Sequence, residues 1–137
     1  MKAIYPVIFT QTETNVLVEV PDMEILTEGK DLQDAVEMAR DAIGITGISM
    51  QDHNEKIPEA SRMEQINVNS GAFAGEGQSC VSLVDIDFDI YRRKVDLKTV
   101  RRNVTLPNWL NAEAEAAHIN VSKVLQEALM AKLGVSR

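Results

Sequence analysis

Residues 99–134 restrict the fold more than any other stretch of the chain. Val100, Arg102, Val104 and Leu106 alternate with Arg101, Asn103 and Thr105, the period-two pattern of a short strand. Pro107 ends that run and suits the first turn of a helix. Leu110, Ala114 and Ala117 then recur at helical spacing, and His118-Ile119-Asn120 breaks the pattern. A second stripe follows, Val121, Val124, Leu125, Ala128, Leu129 and Leu133, closed by Gly134. One strand and two short helices remove too little apolar surface from water to fold alone. The simplest remedy is a twofold dimer, with the two strands paired antiparallel as a ribbon and four helices packed beneath it.

Period two then divides the labour of the strand. Val104 and Leu106 face the helices and share a dimer core with Leu110, Val124, Leu125 and Leu129. Arg101, Asn103 and Thr105 face outward. A two-stranded ribbon fits the major groove of B-form DNA, where Arg reads guanine, Asn reads adenine and Thr bonds or packs on the thymine methyl. Asn120 or Ser122 can cap the second helix, leaving the backbone N–H groups of Val121, Ser122 and Lys123 to meet a phosphate. Arg102, with Arg92, Arg93, Lys94 and Lys98, adds positive charge. The competing reading is a solvated edge strand. The proline stop, both helical stripes and the local charge agree on DNA binding instead.

Charge separates this tail from the rest. Residues 1–90 carry 17 Asp/Glu against 5 Lys/Arg, a balance of −12, whereas residues 91–137 carry 4 against 9, a balance of +5. The tail is therefore expected to meet an anion and the front half a basic partner. We expect a front domain over 1–90, a linker over 91–98 and a DNA-binding domain over 99–137. No apolar run is long enough to span a bilayer, the N-terminus lacks a signal-peptide pattern, and one cysteine, Cys80, gives no internal disulfide; a cytoplasmic protein is expected.

The front half reads as α+β. Ala3–Phe9 and Val16–Val20 flank the polar turn Thr10–Asn15 as a hairpin, with Pro6 placing the first strand at an edge or a bulge. Ile25–Thr27 makes a short third strand. Asp31 caps a helix whose stripe is Leu32, Ala35, Val36, Ala39 and Ile43, with Gly44 as its stop. Residues 44–78 read as a surface excursion, and Val81–Phe88 returns to the sheet. The expected order is β-β-β-α-β, with the helix on one face of the sheet.

With these residues in view, the chain resembles the HicB antitoxin family. The resemblance rests on Val16–Asp22, Leu26-Thr27-Glu28-Gly29, Asp31–Ala42 and Ile57-Pro58 in the front half. In the tail it rests on Val104-Thr105-Leu106-Pro107, Asn120-Val121-Ser122 and Leu125–Leu129, so that it spans most of residues 3–134. The chain departs from the family at Met23-Glu24-Ile25-Leu26, where members often carry Leu-Pro-Gly-Cys. The resemblance implies a partial ribonuclease-H-like front domain that binds a small basic HicA-type toxin, an mRNA-cleaving ribonuclease. It also implies a ribbon-helix-helix tail that represses the pair's own operon. A dimer through the tail is expected, and a tetramer is left open.

Other signals carry less. Asp85, Asp87 and Asp89 alternate and would share one strand face, which invites a metal-dependent nuclease. A calcium loop would want glycine near Ile90 and glutamate at Asp96, and a nuclease wants acids converging from several elements, so a solvated face is the better reading. His53 and His118 lack ligand spacing, Gly71–Gly77 lacks the lysine of a phosphate loop, and Cys80 lacks an activating base. No catalytic residue, metal or cofactor is expected. A stand-alone ribbon-helix-helix repressor is the alternative to the antitoxin, with the nuclease behind it.

Overall fold

The computed structural model describes residues 1–136, which divide into two compact units, Met1–Val95 and Asp96–Arg137. In the first, strands β1 (Lys2–Gln11), β2 (Val16–Val20), β3 (Ile25–Gly29) and β4 (Gln78–Asp87) form one antiparallel sheet in the order β3-β2-β1-β4. Helix α1 (Leu32–Asp52) lies between β3 and β4 in sequence, so the expected β-β-β-α-β order is the order observed. Helix α2 (Phe88–Val95) completes the unit.

β1 is central, not an edge, despite Pro6. Its pairing with β2 runs only from Ile8↔Glu19 to Gln11↔Val16, so Pro6 lies beyond the last of those pairs. Its missing N–H costs no ladder bond there.

α1 begins where expected. The Asp31 carboxylate accepts from the Asp34 N–H at 2.8 Å, and the Asp34 carboxylate accepts from the Lys30 N–H at 2.8 Å. Such caps stabilise a helix by about 1 kcal/mol. Ala35, Ala39 and Ile43 are fully buried against Tyr5, Val7, Phe9, Val16, Val18 and Val20 of the sheet.

The helix does not stop at Gly44. It continues to Asp52, because Gly44 and Gly47 are buried sockets for α2. A Cβ at Gly44 would lie 2.7 Å from the Tyr91 ring, and one at Gly47 would lie 2.2 Å from Phe88. The two glycines mark close packing of a helix rather than its end.

That contact also corrects the expected linker. Tyr91-Arg92-Arg93-Lys94 is helix, and Tyr91 is buried with its hydroxyl donating to Asp41. Arg92 is held by Asp52 at 3.0 Å and Gln51 at 3.0 Å. Three of the nine basic residues counted in the tail thus belong to the front unit. Residues 1–95 carry 17 acids against 8 bases (−9), and residues 96–137 carry 4 against 6 (+2).

The excursion after α1 is also more than surface. Ile57 is buried, the Tyr5 hydroxyl donates to Pro58 C=O at 2.7 Å, and Asp22 accepts from the N–H and Oγ of Ser61 at 2.8 and 2.5 Å. Two short 3-10 turns, Met63–Gln65 and Val68–Ser70, follow. The Ala72 N–H then bonds Glu19 at 3.0 Å, and a Cβ at Gly71 would lie 3.3 Å from Ile8. The segment therefore covers part of the sheet face that α1 leaves open, around Ile8 and Glu19; Pro6, Ile8 and Thr10 on that face are buried along with Tyr5, Val7 and Phe9 on the other, whereas Ile4, Leu26 and Leu83 stay exposed.

In the second unit, helices α3 (Asn108–Ala116) and α4 (Val121–Leu133) stand where the two stripes predict, with Pro107 before the first and Gly134 in the left-handed region (φ 68°) after the second. The expected strand at 100–106 is not formed within one chain: residues 96–107 carry neither helix nor strand. A strand exists only by its ladder bonds to a neighbour, and this segment has none along its own chain.

Candidate nucleic-acid interface

The tail holds two helices and no interior. Among its described residues none is buried. Val104 is 51% exposed, Leu106 37%, Leu110 39%, Val124 51% and Leu129 52%, while Leu125 is half-buried. Fully covering a side chain of this size is worth about 1.5–3 kcal/mol, so a tail left in this state forgoes most of its folding free energy. The six residues expected to form a shared core are thus those that still have apolar surface to cover.

The side chains expected to read bases, Arg101, Asn103 and Thr105, are all exposed, as is Arg102. None lies in a regular element within the single chain. The structure leaves them accessible but does not assemble them. At α4 the picture is more definite. Asn120 is the N-cap, its side chain accepting from the Lys123 N–H at 3.1 Å, which decides between the two capping residues considered, Asn120 and Ser122. The N–H groups of Val121 and Ser122 remain without a capping acceptor, at the positive end of a thirteen-residue helix.

The acidic trio of the front unit resolves into three separate jobs. Asp85 pairs with Arg40 at 3.1 Å. Asp87 caps α2, accepting from the N–H groups of Asp89 and Ile90 at 3.0 and 3.3 Å. Asp89 is on that helix rather than on the strand, and binds the N-terminal ammonium at 2.5 Å, which holds its carboxyl below the usual range. Among the described residues no group of His, Cys, Asp and Glu is placed to hold a metal. No helix there is long and apolar enough to cross a membrane.

Sequence reading did not single out the outer face of α1. Asp34, Glu37, Met38, Arg40 and Asp41, with Tyr91 and Lys94 of α2, line a concavity of about 530 Å³. Its signal was the spacing of Asp34, Glu37 and Asp41, which puts three carboxylates on one side of the helix away from the Ala35–Ile43 stripe.

Two solved structures share this architecture. A chain of the toxin–antitoxin complex from Streptococcus pneumoniae aligns with a TM-score of 0.61 at 22% identity, covering 96% of this chain and 99% of that one. The antitoxin HicB of Burkholderia pseudomallei aligns with a TM-score of 0.52 at 23% identity, covering 96% and 97%. At such identities the likeness is one of fold. No curated protein matches. The model of the HicB-like antitoxin of bacterial toxin–antitoxin systems matches residues 5–131, through both units, and the chain therefore belongs to the HicB-like antitoxin family.

Proposed function

We propose that this chain neutralises a HicA-type, mRNA-cleaving ribonuclease toxin through its front unit. In the same reading it represses its own operon as a homodimer, through a ribbon-helix-helix tail. The observation that carries the DNA-binding half is the tail's uncovered apolar set: Val104, Leu106, Leu110, Val124 and Leu129 all remain exposed in the single chain. A second copy covers them when the two 100–106 segments pair as a ribbon, and the same parity turns Arg101, Asn103 and Thr105 outward to base edges. Each α4 N-terminus, with Asn120 as cap and the N–H groups of Val121, Ser122 and Lys123 beside it, then meets a phosphate, helped by Arg102.

The toxin half draws on family membership and on charge. The front unit carries −9, and the acid-lined face of α1 complements a basic partner, which speeds encounter and selects the partner more than it adds affinity. Both activities belong in the cytoplasm, where operator and toxin are found together.

Replacing Arg101 and Asn103 by Ala tests the reading directly. Each bidentate base contact is worth about 1–3 kcal/mol of discrimination, so the double variant should bind operator no better than unrelated DNA while still co-purifying with the toxin. Unchanged operator affinity in a gel shift rules the base-reading assignment out.

A further inference from the structure

The three basic residues that helix α2 places on the front unit do not have the same partners. Arg92 is neutralised within the unit, by Asp52 at 3.0 Å, and bonds Gln51 at 3.0 Å. Arg93 and Lys94 form no salt bridge among the described residues. The Arg93 Nε is buried without an acceptor, and Lys94 is exposed in the last turn. Lys94 borders the concavity on α1 but bonds none of its carboxylates. Basic side chains in a last turn favour the helix dipole, and that role leaves their charge open to solvent.

The acids on or against α2 are engaged already. Asp52 holds Arg92, Asp41 accepts from the Tyr91 hydroxyl, Asp87 caps the helix, and Asp89 binds the Met1 ammonium. Lys2, opposite Asp87 on β1, brings a further cation beside them. Those four acids balance Lys2, Arg92, Arg93 and Lys94, so the whole −9 of the front unit lies elsewhere on it. Asp96, Leu97, Lys98 and Thr99 are all that separate α2 from Val100, where the proposed ribbon begins. The five steps from Val95 to Val100 span at most about 18 Å. Base pairs follow one another at about 3.4 Å along the duplex. A ribbon in the major groove therefore keeps the end of α2 within about five base pairs of itself.

We infer that Arg93 and Lys94 bind phosphates of the duplex flanking each operator half-site, so that the front unit shares in DNA binding beside the ribbon. This rests on the DNA-binding reading of the tail and extends it to the other unit. The occupant is duplex DNA because the short connection holds two unpaired cations next to it and because charge complementarity favours a polyanion there. Lys94 meets a phosphate as a point charge, and Arg93 offers the donors of its guanidinium, its Nε having no acceptor in the chain. Such contacts fix position and carry no base identity, so they lengthen the bound site without changing its sequence preference. The surplus acid of the unit is repelled by the same duplex, which orients α2 toward the DNA.

The full-length protein and operator duplexes of two lengths test this, the longer extended by about eight base pairs on each side. The wild type should bind the longer duplex more tightly, and the Arg93→Gln/Lys94→Gln variant should bind both alike. Two cations per chain and two chains per operator make four phosphate contacts. The slope of log affinity against log salt should therefore become less steep by about 3.6 in the double variant, and by about 1.8 for Lys94→Gln alone. Lys94→Arg keeps the charge and should keep the wild-type slope. Preference for operator over unrelated DNA should stay as in the wild type, since backbone contacts carry no sequence. Lys94 is exposed, so its replacement leaves the packing of α2 alone, and the thermal transition of the front unit checks this. Operator binding with unchanged slope and unchanged length dependence overturns the inference and spares the tail's reading. A lowered thermal transition with no change in slope also overturns it, and leaves both residues to the helix dipole. A wild type that binds neither duplex removes the tail's reading, and this extension with it.

Discussion

Helices α1 and α4 carry apolar stripes of similar spacing, and only one of them is covered. In α1, Ala35, Ala39 and Ile43 are fully buried under the sheet. In α4, Val124, Leu129 and Leu133 are 51%, 52% and 71% exposed. The stripe alone therefore does not say where a helix finds its partner. What differs is supply: the front unit offers four strands, a second helix and a folded-back segment, whereas the tail offers one other helix of nine residues. A periodic pattern that its own chain cannot cover is a statement about a second molecule.

The largest expected effect comes from turning the tail's surface against that second molecule. In the proposed tail dimer, Leu125→Glu would put an unpaired charge into the core of both copies, at a cost of about 3 kcal/mol or more per chain. Tail dimerisation and operator binding should be lost, with a fall in helical circular dichroism, while the front unit keeps its own thermal transition. Tail-to-tail association that survives this change would break the comparison. Next comes Gly47→Ala, which drives a Cβ into Phe88 and should destabilise the front unit by about 2 kcal/mol. Measured by denaturant unfolding, that loss should leave the operator affinity of the still-folded protein untouched.

The smallest effect is alkaline. Burial first, and then the hydrogen bond to Asp41, raise the Tyr91 hydroxyl above its ordinary value of 10.0. Above about pH 10 the unfolded chain gives up this proton while the folded one keeps it, so the front unit loses stability as pH rises. Tyr91→Phe should flatten that decline without moving the tail's behaviour; an unchanged slope would remove Tyr91 as its source.

The parts of the fold written in local patterns were legible beforehand. The β1–β2 hairpin, the Asp31 cap, β3, and helices α3 and α4 each follow from neighbours within a few residues. The misreadings share a cause in distance along the chain. Gly44 reads as a stop until Tyr91, far along the sequence, is seen to fill its place. Tyr91–Lys94 reads as a charged linker until that same contact is known. The covering segment after Ile57 has no period at all, because 3-10 turns held by Asp22 and Glu19 leave no repeating signature. At the candidate interface the exposed side chains were foreseeable, but their arrangement was not, since a ribbon takes its geometry from the opposing strand.

The seat of Phe88 and Tyr91 on the two helical glycines has a consequence for inheritance and for protein engineering. Exchange of the tail between relatives needs a seam after Val95. A crossover placed a few codons earlier, between residues 90 and 91 where the composition changes sign, would carry away Tyr91 and leave its socket at Gly44 of α1 empty, so the recipient's front unit would lose packing in the exchange.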